Sequence, residues 1–335
     1  IAVFPTMGLG ELMAMPPVKF LVDSLFTRYG LSVLYGPPGC GKTFIALDIA
    51  LCVASGQPFH GLPVTQGAVL YICGEGVGGI GKRVKAWTEH RGVGIDENEL
   101  PFFMLPVAVD FTNPAEVEML KATIQQLEDK AGGFSLIVVD TVARALLGAD
   151  ENSATDIGKF VKTCDVLKQS YNAALLGLHH SGKDGSRGMR GSSALLAAVD
   201  TSIQVKKSGN QLTVSTEKQK DAEPAEDYFF QMESAEIGTI GGETSVYLRQ
   251  ISADEMAADG ATLNEKELKA MNCLRDATDK NDVISVEVAK DSFVFWMMER
   301  DGADISDKKA KDRARKAWGR AITALESADI VVVQA

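Results

Sequence analysis

The string Gly36-Pro37-Pro38-Gly39-Cys40-Gly41-Lys42-Thr43 has the spacing G-x-x-x-x-G-K-[ST]. It follows an apolar run suited to a strand and opens a helical stretch over Lys42–Ser55. Glycines let consecutive backbone N–H groups turn inward around phosphate oxygens, and the helix N-terminus adds its dipole. A lysine at the seventh position reaches the β- and γ-phosphates, and the following hydroxyl is a ligand for Mg²⁺. The string predicts a nucleotide site, with ATP and Mg²⁺ as the bound groups.

Two further carboxylates end apolar runs. Phe134-Ser-Leu-Ile-Val-Val-Asp140 delivers one Asp where ligands bind in open α/β sheets, at the C-terminal edge of the strands. Asp140 is expected to hold Mg²⁺ through water, and a turn-initiating Asp is the plainer alternative. The next residue is Thr141 rather than a second acid, so the group that activates water must come from elsewhere. Ala68–Glu75 supplies one: a buried run ending in Glu75 between Gly74 and Gly76, placed to orient the attacking water. His179 and His180 end another run. Strand alternation sends them to opposite faces, and no Cys or further His accompanies them at metal-ligand spacing.

The elements that must position these groups follow from periodicity. Short, nearly continuous apolar runs at Leu31–Tyr35, Ala68–Cys73, Phe134–Val139, Ala174–His179 and Thr201–Lys206 read as strands buried on both faces. Between them lie amphipathic helices. One opens at Asn113-Pro114-x-Glu116 and carries Val117, Leu120, Ile124 and Leu127 on one face. Another carries Ile157, Phe160, Val161, Cys164, Leu167 and Tyr171. The alternation predicts an α/β core with a mostly parallel sheet covered by helices. Gln211–Thr216, Tyr228–Met232 and Ser245–Gln250 read as hairpin strands. The expected division is a lead-in over 1–30, a core over 31–251, a linker over 252–262, and a winged-helix-like domain over 263–335. That last domain would have three helices, the third long and charged, then a strand at Ile330–Val333.

Composition limits the partners. With 45% hydrophobic and 24% charged residues the chain is an ordinary globular protein, and its net charge of −11 excludes a uniformly basic nucleic-acid coat. A local basic face is still allowed: Lys308, Lys309, Lys311, Arg313, Arg315, Lys316 and Arg320 cluster in the predicted third helix, against Asp304, Asp307 and Asp312. In a winged-helix reading this helix would enter a groove, and a solvated face is the alternative. Five scattered cysteines argue against a disulfide framework or a zinc site. No uncharged apolar run reaches about 18 residues, and no signal-peptide layout opens the chain. A cytoplasmic protein is expected.

The motifs in order are the phosphate loop, L-Y-I-C-G-E-G, V-V-D-T-x-A-R-x-L, G-L-H-H-S-G-K and R-G-S-S-A-L-L-A-A-V-D. Together they resemble the RecA-like ATPase core, in particular the plasmid RepA-type and DnaB-type hexameric replicative helicases of phages and mobile elements. The resemblance covers residues 16 to about 250. It implies Glu75 as catalytic base and His179 or His180 as γ-phosphate sensor. It also implies that the Gly-rich loop with Lys183, Arg187 and Arg190 lines a central pore and holds DNA, as spaced cations on flexible glycines would. Lys218 and Lys220 stand where the family has a K-x-R pair that completes a neighbour's site. Lysine lacks arginine's bidentate fork, so Arg187 or Arg190 could serve instead. The implied partners are single-stranded or forked DNA, further copies in a hexameric ring, and a primase domain or protein. Two other functions fit the residues: a RecA-like ATPase of repair, recombination or signalling without unwinding, and a nucleotide-gated DNA-binding initiator.

Overall fold

The computed structural model describes residues 6–91, 96, 99–181, 193–237, 242–259, 265–277, 286–304 and 306–327. It divides into two units, residues 1–252 and 253–335. The first opens with α1 (Leu9–Met13) and a short antiparallel pair, β1 (Phe20–Val22) and β2 (Phe26–Thr27). Next come β3 (Leu31–Gly36), α2 (Lys42–Ser55), β4 (Ala68–Cys73), α3 (Val77–His90), β5 (Phe102–Leu105) and α4 (Pro114–Ala131). They are followed by β6 (Phe134–Asp140), α5 (Ala154–Tyr171), β7 (Ala174–His180) and α6 (Ser193–Ala198). The strands β8 (Thr201–Ser208), β9 (Gln211–Gln219), β10 (Tyr228–Glu236) and β11 (Thr244–Ile251) complete the unit.

One nine-stranded sheet has the order β11-β10-β9-β8-β3-β7-β6-β4-β5. The six strands from β8 to β5 are mutually parallel, and β9, β10 and β11 extend the sheet antiparallel. This is the RecA-like P-loop core, α/β with a mostly parallel sheet. Every residue of β3, β4 and β6 is buried. Strand alternation sends Leu34, Tyr71, Val138 and Leu176 to the face packed on α2, and Val33, Leu70, Ile137 and Leu175 to the face covered by α4 and α5. Helix α2 is apolar almost all round, as a helix enclosed by its own domain should be. Helix α4 starts as its sequence signals: Asn113 Oδ1 accepts from the Ala115 N–H, with Pro114 at the first helical position.

Three expectations change. Residues 1–30 are more than a lead-in, because Leu21, Val22, Leu25 and Phe26 are buried in the same apolar layer as α2. The edge strand β5 is absent from the expected set: its four residues are all half-buried, which blurs the apolar run. The stretch expected as a linker is helical over Ala253–Asp259, α7.

The second unit continues with α8 (Glu265–Asp276), α9 (Val286–Arg300) and α10 (Lys308–Ser327). Cys273, Leu274, Phe293, Val294, Met297, Met298 and Trp318 form its core, with alanines 310, 314, 317 and 321 letting α10 pack closely. The strand expected at Ile330–Val333 lies outside the described residues.

Candidate active site

Strand order brings the candidate groups to one edge. Gly36 pairs with His180, and Cys73 with Asp140, so the phosphate loop, His180, Asp140 and Glu75 lie along the C-terminal ends of neighbouring parallel strands. The chain leaves β3 and returns at β4, with β7 and β6 lying between them, and β8 adds on the other side of β3. That reversal is the crevice where open α/β sheets bind ligands. Gly36 is required there: a Cβ would stand 2.3 Å from the Val205 carbonyl oxygen. Gly41, at φ 96°, starts α2 in a conformation that side chains disfavour.

A cavity of about 420 Å³ lies over this edge, lined by Pro38, Gly39, Gly41, Lys42, Thr43, Phe44, Glu75, Gly76, Arg83, Asp140, Thr141 and His180. Lys42 is buried, and its Nζ donates to the carbonyls of Gly36 and Pro37, both at 2.9 Å, with His180 Nδ1 at 3.4 Å. Burial lowers its pKa, opposed by Cys40 beside it and by the carboxylates of Asp140 and Glu75. Cys40 sits within the loop itself.

Asp140 Oδ2 accepts from Thr43 Oγ1 at 3.1 Å and from the Tyr71 hydroxyl at 2.8 Å. Burial raises the Asp140 pKa, while these two hydrogen bonds pull it down. A hydroxyl and a carboxylate side by side are hard oxygen donors, the set that holds Mg²⁺ together with substrate phosphates. Among the described residues no group of three or more His, Cys, Asp or Glu could hold a metal alone, so phosphate oxygens and water would complete the coordination. The residues fit the ion.

Glu75 differs from Asp140 in exposure. Its side chain is 43% accessible, and Arg144 Nε lies 3.5 Å from Oε2. Thr141 Oγ1 donates to Oε1 at 3.3 Å. The Gly74 N–H donates to the Asp140 carbonyl at 2.8 Å, tying the Glu75 loop to the end of β6. A carboxylate so held, at the mouth of the cavity and open to solvent, can orient and deprotonate water.

Several expected residues are elsewhere. His179 is buried at 1% exposure beside Tyr35 in the register and does not line the cavity; His180 does. Lys218 pairs with Ser202 at the start of β8, the sheet edge opposite the phosphate loop, about 10 Å along the strand direction from Gly36. Its Nζ donates to the carbonyls of Leu196, Ala197 and Val199, closing the end of α6, and Lys220 pairs with Asp200 at 3.4 Å. Neither enters its own chain's nucleotide site. Antiparallel return of β9 is the reason. Lys183, Arg187 and Arg190 lie outside the described residues.

The structure adds two groups. Arg83, on α3, lines the cavity with its guanidinium 4.7 Å from the Phe44 ring centre. Tyr71 reaches Asp140 from the neighbouring strand. Arg83 sits two turns into the helix that begins after Glu75, which is the signal that could have found it. Tyr71 offered none, being one aromatic in an apolar strand.

Fold and site together define a RecA-like P-loop nucleotide-hydrolase core. Residues 9–186 match the family model described as AAA domain; they make up more than half of the chain, which therefore belongs to that family. The protein is an ATPase of the P-loop class. Among curated proteins none matches the chain. No helix among the described residues is long and apolar enough to cross a membrane.

Proposed function

We propose that this ATPase is a DNA motor, a ring-forming helicase or translocase acting in replication of a phage, plasmid or other mobile element. The observation that carries the hydrolytic part is the division of labour between Asp140, buried and hydrogen-bonded to Thr43, and Glu75, open at the cavity mouth. In this reading Lys42 leaves the Gly36 and Pro37 carbonyls for the β- and γ-phosphates. Thr43, and Asp140 through water, would hold Mg²⁺, which would supply positive charge to the phosphate oxygens. Glu75 orients the attacking water and accepts its proton. His180, beside Lys42, responds to the γ-phosphate, and Arg83 faces the developing charge from α3.

The ring comes from the resemblance of the motifs. Lys218 and Lys220 lie on the edge away from their own cavity, so any contribution they make to hydrolysis goes to another subunit's site. The DNA partner and a primase partner come from the resemblance of the motifs. ATP turnover by the purified chain should rise on single-stranded DNA, and a forked duplex should be unwound with ATP. Turnover that DNA leaves unchanged would overturn the motor reading, and stimulation without unwinding would reduce it to a translocase. Lys42→Ala should abolish turnover in a folded protein.

A further inference from the structure

Helix α10 uses Ala310, Ala314, Ala317, Trp318 and Ala321 to pack into its unit. On the other side, Lys309, Arg313, Lys316 and Arg320 recur at i, i+4, i+7 and i+11, and all four are exposed. At 3.6 residues per turn they fall within an arc of about 60° and span about 17 Å of helix axis. None of the four side chains forms an ion pair or hydrogen bond among the described residues.

Two features of this stripe work against the helix itself. Lys309 with Arg313, and Lys316 with Arg320, are like charges four residues apart, which destabilises a helix. Gly319 sits mid-helix, where glycine is less favourable than alanine, and a Cβ there would meet nothing within 4 Å. Packing among the described residues does not ask for that glycine. It lies beside Lys316, Arg320 and Thr323 in a shallow depression of the surface. A partner that is negatively charged at regular intervals, and that lies close against the backbone at Gly319, accounts for both features.

We propose that α10 binds the phosphodiester backbone of DNA, without reading its sequence. Four cations over about 17 Å face a strand that carries a negative charge about every 3.4 Å along its axis. A membrane surface fits less well. An interfacial helix keeps an apolar face for the bilayer, whereas the apolar face of α10 is spent in its own core and none of its described large apolar residues is exposed. The inference rests on the motor reading only for the choice of DNA as the polymer.

The test uses the full chain without nucleotide, titrated onto a labelled single strand and its duplex over a series of salt concentrations. Replacing all four cations (Lys309→Gln, Arg313→Gln, Lys316→Gln, Arg320→Gln) should flatten the slope of log affinity against log salt by up to about 2.8 on the single strand and about 3.6 on the duplex. The loss should be the same for unrelated sequences, with ATP turnover in the absence of DNA unchanged. Exchanging Lys for Arg and Arg for Lys at the four positions should keep the slope. Gly319→Leu should raise the thermal midpoint yet weaken binding, which separates contact from folding. An unchanged slope in the folded Gln variant would overturn the proposal, as would tighter binding to phosphatidylserine vesicles than to DNA. A flattened slope in a chain whose ATP turnover ignores DNA would support this assignment and refute the motor.

Discussion

Two buried aspartates, one on the phosphate-loop helix and one beside its first turn, differ in their partners. Asp48, on α2, takes His60 Nε2 at 2.6 Å, Trp87 Nε1 at 2.7 Å, Arg91 Nε at 3.2 Å and the Cys52 thiol at 3.5 Å. Arg91 Nη1 also lies 2.9 Å from His60 Nδ1. A guanidinium can only donate, so His60 Nδ1 accepts and its Nε2 carries the proton toward Asp48. Asp140 has two hydroxyl donors, both on one oxygen, and no cation within ion-pair distance among the described residues. The difference teaches how to tell an anchor from a ligand. A carboxylate whose charge is matched and whose lone pairs are filled holds structure; one left with neutral donors has capacity for a metal ion. Asp48 has a task suited to an anchor. Trp87 and Arg91 belong to α3 and its C-cap, and the same helix starts beside Glu75 and carries Arg83.

The contrast can be broken at either end. Asp48→Ala leaves the half-buried Arg91 and the buried Trp87 indole N–H without their carboxylate and should cost about 3–5 kcal/mol in denaturant unfolding; a loss below about 1 kcal/mol would mean the cluster anchors nothing. On the site side, Glu75→Gln should bind ATP normally yet hydrolyse it roughly 10²-fold more slowly, about 2.7 kcal/mol of transition-state stabilisation. Normal turnover would move the base elsewhere. Trp87→Phe keeps the ring and removes one of the donors to Asp48, and should cost about 1–3 kcal/mol of stability. Stability equal to wild type would show that His60 and Arg91 suffice.

The sequence made the parallel strands and the phosphate loop readable for a physical reason. Strands buried on both faces are continuous apolar runs, and phosphate chemistry demands glycines at fixed spacing, as at Gly36 and Gly41. Asp140 and Glu75 were legible because each ends such a run. The anchor was not. Asp48, His60, Trp87 and Arg91 are spread over 44 residues, and only the packing of α3 on α2 brings them together. Choosing between His179 and His180 needed the register of β7, and placing Lys218 needed the antiparallel return of β9. Residues 20–27 fall inside the expected lead-in over 1–30 because a strand pair of three and two residues is too short for periodicity to register.

The most direct measurement is thermal unfolding of wild type and Asp140→Asn, with a non-hydrolysable ATP analogue, with and without Mg²⁺. Burial raises the Asp140 pKa, so charging this carboxyl costs more in the fold than in the unfolded chain. Without metal, the protein therefore loses stability as pH rises from the ordinary carboxylate value through the raised one. At neutral pH Asp140→Asn, which keeps an acceptor for Tyr71 and Thr43, should melt slightly higher than wild type when no ligand is added. Wild type should then gain stability from Mg²⁺ beyond the gain from nucleotide alone, and Asp140→Asn should gain none. A Mg²⁺-dependent gain of wild-type size in Asp140→Asn would contradict the assignment of Asp140 to the metal.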